Sequence, residues 1–251
     1  MNSIILELSA VEDKIIDNTG MYSFEIYKKL SEILEIEKKE DLRVSNIFGE
    51  FFNETIKLEK GKKYKIRVIT KSQKSFSNFQ KKLFEIAVNK EKIEIGEGFF
   101  RLSGIITKNE TWCGEYDLKK EWDNLSPEIN NFYEKIKMKI VNPILMNRKS
   151  ILGFNKILEI ILKDVENEVE FKMEKIKESI LNSVVVKKEY YREKRVNLLN
   201  NEIKKVYLGD IEVILQGYYG KMLLSFLQYI KYNGVGELKE YGFGEIIITN
   251  E

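Results

Sequence analysis

The sequence predicts an α+β protein made of two tandem domains. Apolar runs typical of strands alternate with amphipathic helical patterns along the whole chain, and this order recurs in both halves. The length of 251 residues suits one large domain or two of about 120 residues each. Because segment 108–131 is polar and contains Pro127, we place the linker there and predict domains at 1–118 and 119–251.

The first half of the chain is predicted to alternate strands and helices. Phe24, Tyr27 and Leu30 recur at helical spacing, whereas residues 64–69 alternate in polarity as a strand does. In order, we predict strand 4–8, helix 24–34, strands 42–47, 51–58 and 64–69, helix 76–87 and a hairpin over 92–107. A β-α-β…β-α-β order with both helices on one face is the ferredoxin-like, RRM-like arrangement.

The second half of the chain shows a similar but less regular alternation of strands and helices. It predicts strand 135–144, a helical stretch over 151–182, one or two strands within 204–216, helix 219–233 and a final strand over 246–248. A second domain of the β-α-β type is therefore expected.

Composition excludes several kinds of chemistry. The chain has 42 Lys and Arg against 40 Asp and Glu, so a site for a polyanion must be a local patch. It has no histidine, which excludes His-based zinc sites, Ser-His-Asp systems and histidine acid–base catalysis. A single cysteine, Cys113, permits no internal disulfide. With no signal peptide and no apolar run near the ~20 residues of a membrane helix, we expect a cytoplasmic protein.

A glycine-rich loop is the most informative motif. Four glycines fall between the last helix and the last strand: Gly234, Gly236, Gly242 and Gly244. Glycine permits positive φ and close backbone approach, successive backbone N–H groups can cradle phosphates, and Lys239 can add a charge-assisted contact. The alternative is purely structural, with a helix cap at Gly234 followed by a tight turn and a bulge.

This loop resembles the C-terminal glycine-rich loop of the RAMP superfamily. It is most similar to that of the Cas6 family, the CRISPR-associated endoribonucleases that cut repeat precursor RNA. The strands Val44-Ser45-Asn46-Ile47 and 64–68, and the strand end Val141-Asn142-Pro143-Ile144, fit the same family pattern.

The resemblance implies a fold, a reaction and partners. It implies two tandem ferredoxin-like domains that bind CRISPR repeat RNA across the face between them, in a monomer or homodimer. It implies cleavage without metal or cofactor, in which a ribose 2′-OH attacks the adjacent phosphate. The processed guide RNA then stays bound and joins subunits of a CRISPR effector complex.

Such a reaction needs a base, positive charge for the developing anion and an acid or charge for the leaving oxygen. Many family members use a histidine after the first helix, and this chain lacks one. The resemblance therefore points to Tyr27 on the first helix, although Tyr27 also lies on the apolar stripe and fits a core role equally well. The nearby cations complete the candidate catalytic set: Lys28, Lys38, Lys39 and Arg43.

RNA binding is expected at three places. The main one is a basic segment with interleaved aromatic residues, which suit phosphates and unpaired bases respectively: Lys187, Lys188, Tyr190, Tyr191, Arg192, Lys194 and Arg195. Glu189 and Glu193 dilute it, so an ordinary charged surface is the alternative. Arg148 and Lys149 form a second patch, and the glycine loop with Lys239 is the third.

Two further hypotheses for the whole protein stay open at this point. One is an RNA-binding subunit of a CRISPR effector complex, from the same superfamily, that cuts weakly or not at all. The other is a ferredoxin-like scaffold unrelated to RNA.

Overall fold

The chain divides into two units, each with its own sheet and helices. The computed structural model describes residues 1–18, 21–36, 38–108, 111–125, 131–146, 153–198 and 202–250. Unit 1 comprises residues 1–115, 195–204 and 240–242, and unit 2 comprises 116–194, 205–239 and 243–251. The predicted mixture of helices with strand-rich sheets is confirmed, while the domain limits 1–118 and 119–251 stay a prediction.

Unit 1 contains ten of the regular elements. These are β1 (Asn2–Ala10), β2 (Lys14–Asp17), α1 (Ser23–Leu34), β3 (Leu42–Val44), β4 (Thr55–Leu58), β5 (Lys63–Thr70), α2 (Gln73–Asn89), β6 (Lys92–Ile95), β7 (Gly98–Ile106) and β8 (Gly114–Glu115). The main sheet has the order β3-β5-β1-β7-β6, with β8 beside β1, and its paired strands are antiparallel.

The core of unit 1 lies between this sheet and its two helices. The apolar residues of β1 are buried, as are Tyr27, Leu30 and Leu34 of α1, while Phe24 and Ile33 are half-buried. Phe79 of α2 and Phe100 of β7 are completely enclosed. The side chain of Ser72 accepts a hydrogen bond from the Ser75 amide and so caps α2.

Three details of unit 1 differ from the sequence-based expectation. The strand predicted over 51–58 begins only at Thr55. The strand predicted over 42–47 ends at Val44, because the side chains of Ser45 and Asn46 accept hydrogen bonds from backbone amides. Ser45 Oγ accepts from the Arg67 amide, and Asn46 Oδ1 accepts from the Ile47 amide, both at 2.8 Å. The short strand β2, which pairs with β4, was not predicted.

Unit 2 is built on a four-stranded sheet in the order β10-β11-β9-β12. Its elements are α3 (Leu118–Asp123), β9 (Tyr133–Leu145), α4 (Phe154–Val169), α5 (Lys177–Asn182), β10 (Val184–Asn197), β11 (Ile203–Gln216), α6 (Gly217–Asn233) and β12 (Ile246–Asn250). The ends of β10 and β11 from 195 to 204 belong to unit 1. The helical stretch predicted over 151–182 is interrupted at Glu170, which adopts a left-handed conformation (φ 56°) and ends α4.

None of the helices in the described ranges is long and apolar enough to cross a membrane.

Candidate functional site

An aromatic cluster in unit 1 joins helix α1 to the tip of the glycine loop. The ring of Tyr241 lies 4.0 Å from that of Phe24 and 5.0 Å from that of Tyr27, measured between centroids. Tyr27 is 9% exposed, and its hydroxyl donates a 3.1 Å hydrogen bond to the carbonyl oxygen of Lys39. The helix face carrying Phe24 and Tyr27 thus fixes both the loop tip and the backbone at Lys39.

Lys39 places a positive charge on this cluster. Its ammonium lies 4.9 Å from the centre of the Tyr241 ring and 3.2 Å from Oε1 of Glu240, and 57% of its side chain is exposed. Hydrogen bonding to Tyr241 raises the pKa of Lys39, and Glu240 raises it further against the opposing effect of partial burial. Lys39 is therefore protonated at neutral pH, which suits it to stabilise an anion and not to act as a base.

The two partners of Lys39 should be separable by titration. Tyr241→Phe is expected to lower the pKa of Lys39, and Glu240→Gln to lower it less, because each replaced group favours the charged form of the ammonium. The measurement is the pH dependence of the lysine side-chain carbon shifts in ¹³C-labelled protein. Tyr133→Phe, at an exposed tyrosine of β9, serves as the control. An unchanged pKa in Tyr241→Phe would show that the hydroxyl does not act on Lys39.

The backbone of the glycine loop is largely occupied by protein contacts. The N–H groups of Gly234, Val235, Glu237 and Gly244 donate to backbone carbonyl oxygens at 2.7 to 3.0 Å. A Cβ on Gly242 would lie 2.8 Å from Ser45 Cα, and one on Gly244 would lie 1.8 Å from the Val235 oxygen. These contacts give the loop the structural role that was the alternative to phosphate binding.

Lys239 is also engaged within the protein. Its ammonium lies 2.7 Å from Oδ2 of Asp164, and only 23% of its side chain is exposed. Gly236 lies near this pair and lines a cavity of about 540 Å³ in unit 2. Contacts of RNA with Lys239 and with the four glycines remain predictions.

The other candidate catalytic residues differ in exposure. Lys28 on α1 and Lys38 just after it are exposed. Arg43 on β3 is only 6% exposed, so its guanidinium belongs to the interior of unit 1. In the structure Tyr27 and Lys39 are therefore in contact, and Lys28 and Lys38 lie on the surface. Arg43 is buried.

The basic segment forms most of β10, a strand at the edge of the unit 2 sheet. Lys187, Lys188, Tyr190 and Arg192 are exposed, as is Arg195, whereas Lys194 is partly covered. Burial and the nearby Glu189 carboxylate, which accepts a hydrogen bond from the Tyr191 hydroxyl, raise the pKa of Tyr191. Arg148 and Lys149 lie outside the described residues.

Sequence reasoning missed two features of the structure. The first is Tyr241, which comes directly before Gly242 and is only 9% exposed; no periodic apolar pattern in the loop marks it as buried. The second is a row of lysines on β9, at Lys135, Lys137 and Lys139, which alternate with buried Ile136 and Met138. Strict alternation of lysine with apolar residues was the available signal. Within the described ranges, no three or more Cys, Asp and Glu side chains are grouped to hold a metal ion.

Comparison with known proteins relates the chain to one group of structures. No protein-family model matches the chain, and no curated protein sequence does either. Among solved structures, a Cas6 product complex matches with a TM-score of 0.69 and 16% identity, over 99% of both chains. A second Cas6 product complex has a TM-score of 0.65 and 18% identity, over 99% of this chain and 100% of the other.

A third structure, Thermus thermophilus Cas6, has a TM-score of 0.66 at 15% identity, over 99% of this chain and 98% of that one. The similarity thus extends over nearly the full length of each protein, although few residues are identical. The chain has the fold of Cas6 proteins.

Proposed function

We propose that this protein is a Cas6-type endoribonuclease that binds CRISPR repeat RNA and cuts it through attack of a ribose 2′-OH. The observation that carries the proposal is the Lys39–Tyr241 cluster beside α1, within a fold shared with Cas6 proteins over 99% of the chain. A protonated lysine held by two partners is a ready source of charge for a phosphate undergoing substitution.

We also propose that each unit is a ferredoxin-like domain. In unit 1 the strands β1, β3, β5 and β7 occur in the order β3-β5-β1-β7, and in unit 2 the strands β9 to β12 occur as β10-β11-β9-β12. Numbered within a β-α-β-β-α-β unit, both orders are second, third, first and fourth strand. Two sheets with one order support a tandem repeat of a single domain type.

The proposed reaction forms one P–O bond and breaks another. The 2′-oxygen loses its proton and attacks the adjacent phosphorus, the 5′-oxygen leaves and takes up a proton, and the products carry a 2′,3′-cyclic phosphate and a 5′-OH. Lys39 neutralises the non-bridging oxygens as negative charge grows on them. Tyr27 acts as a positioning residue, because its hydroxyl is bonded to the Lys39 carbonyl.

The remaining cations are assigned to RNA binding. Lys28 and Lys38 are exposed on and just after α1, and their exposure supports a role in contacting phosphates that flank the cut. The exposed cations of β10, together with Tyr190, provide phosphate contacts and a stacking surface. The lysine row of β9 is partly neutralised, since Lys137 lies 3.7 Å from Glu212, and it contributes less. After cleavage, we propose that the guide RNA stays bound and joins other CRISPR subunits.

A second candidate is an RNA-binding subunit that does not cut. The observation favouring it is that the charge of Lys39 is already paired with Glu240, while the chain offers no histidine as a base. In that case the cluster would bind a phosphate without promoting its substitution.

The deciding experiment uses repeat RNA from a CRISPR array of the same genome, incubated with the protein in EDTA. The proposal expects cleavage at one position, a product with a 5′-OH, and no cleavage of a control RNA whose nucleotide at the cut has a 2′-deoxyribose. Cleavage of that control RNA would contradict attack by the 2′-OH. Tight binding without cleavage selects the non-cutting subunit, and absence of both refutes a role in repeat processing.

A further inference from the structure

Unit 1 contains a cavity that is not part of the proposed cleavage site. It has a volume of about 320 Å³ and is lined by residues around Phe52 together with Arg195, Val196, Asn197 and Ile203. This volume is at the lower end of the ~300–1,000 Å³ found for pockets that hold small molecules. Its size therefore suits a single planar ring system better than a larger ligand.

Part of the cavity lining is apolar and aromatic. The rings of Phe51 and Phe52 lie 5.1 Å apart at an interplanar angle of 63°, and Met21 lies beside them. Ile203 at the rim is 67% exposed, although isoleucine is normally buried. A planar ligand that entered here would stack on Phe52 and cover part of Ile203.

The lining also contains the amide of Asn197 and the cation of Arg195. Asn197 lines the cavity, and its buried Oδ1 receives no hydrogen bond from any of the residues that the structure describes. A buried acceptor without a donor is costly, so this oxygen favours a ligand that brings an N–H group. Arg195, which is exposed, supplies a positive charge at the same opening.

Asn18, which also lines the cavity, is held by three hydrogen bonds. Nδ2 of Asn18 donates to the carbonyl oxygens of Glu50 and Asn53 at 2.8 and 2.7 Å. Its Oδ1 accepts from the Tyr22 amide at 2.7 Å. Asn18 thus ties the segment before β4 to the start of α1.

We propose that this cavity binds one unpaired adenine base of the RNA. The inference rests on the proposed function and adds to it a subsite for a single nucleotide. Phe52 stacks on the ring, and the Asn197 amide bonds the adenine edge, since Oδ1 accepts from the 6-amino group and Nδ2 donates to a ring nitrogen. Arg195 neutralises the phosphate of the same nucleotide.

The test compares two RNA probes that differ only in the group facing Asn197. Fluorescence anisotropy is measured with labelled octamers of adenosine and of purine riboside, which lacks the 6-amino group. The adenosine octamer should bind the unmodified protein about threefold to tenfold more tightly, the worth of one hydrogen bond. Asn197→Ala should bind both octamers equally, and Phe52→Ala should weaken both about tenfold.

The controls are matched to these variants. Asn89→Ala and Phe84→Ala change exposed residues of α2 that do not line the cavity, and both should bind like the unmodified protein. Adenosine monophosphate is a further probe. If it bound as tightly as the adenosine octamer, the occupant would be a free nucleotide and the RNA subsite would be refuted.

Failure of this inference is distinguishable from failure of the proposed function. If repeat RNA is bound and cut but both octamers bind the unmodified protein equally, or neither binds, the adenine subsite alone is refuted. If repeat RNA is neither bound nor cut, both the proposed function and the adenine subsite are refuted. The two octamers can still be compared on the unmodified protein if Asn197→Ala fails to fold, so the subsite remains testable.

Discussion

Lys39→Met is expected to slow single-turnover cleavage of repeat RNA by about 100- to 1,000-fold, the usual effect of removing one group that stabilises a developing anion. Methionine keeps the length of the side chain and its packing near Tyr241 but removes the charge. RNA affinity should fall only slightly, because Lys39 is one of many cations and is already paired with Glu240. The measurements are the cleavage rate at saturating protein and the dissociation constant from anisotropy.

Two further variants test whether the charge of Lys39 causes this effect. Lys39→Arg retains the charge and should recover much of the lost rate. Lys81→Met changes an exposed lysine of α2 and should leave both rate and affinity unchanged. If Lys39→Met lowered affinity as much as rate, Lys39 would serve binding alone; an unaltered rate would remove it from the catalytic set.

Gly244→Ala is expected to lower the free energy of unfolding by about 4 kcal/mol, at the upper end of single substitutions. The glycine has φ +66°, and its added Cβ would lie 1.8 Å from the Val235 oxygen and 2.7 Å from its carbonyl carbon. These are backbone atoms, so no side-chain rotation can relieve the overlap. Urea or thermal denaturation of both proteins measures the change.

A matched glycine separates the two sources of this cost. Gly217 has nearly the same φ, +65°, but a Cβ there would have nothing within 4 Å. Gly217→Ala should therefore cost only the left-handed conformation, about 1–2 kcal/mol. Equal losses in the two variants would mean that the loop relaxes and that the close approach to Val235 is unimportant.

Most elements of the fold were predictable because they depend on local periodicity. The apolar spacing of α1 and the alternation of β5 are properties of a few neighbouring residues, and both elements formed where predicted. The ends of elements were less predictable. Strand β3 ends at Val44 because the side chains of Ser45 and Asn46 compete with backbone carbonyl groups for backbone N–H donors. The hydrophobic pattern of the sequence does not indicate such competition.

The candidate site was predictable only in part, because it joins residues far apart in sequence. Tyr27 and Lys39 lie within the zone that the family resemblance indicated, but their partner Tyr241 is more than 200 positions away. Arginine is usually found at the surface, yet Arg43 on β3 is buried. Distant contacts of this kind follow from how strands are ordered in a sheet, which periodicity does not specify.

The long strand β10 has a consequence for any experiment that removes its charge. It is at the edge of its sheet and leaves Val185, Val186 and Tyr190 exposed, a combination that invites pairing with a strand of another molecule. The flanking lysines and arginines oppose that pairing through repulsion between copies. Neutralising them to weaken RNA binding would also remove this protection against aggregation. Such variants need their particle size checked before any loss of affinity is assigned to RNA.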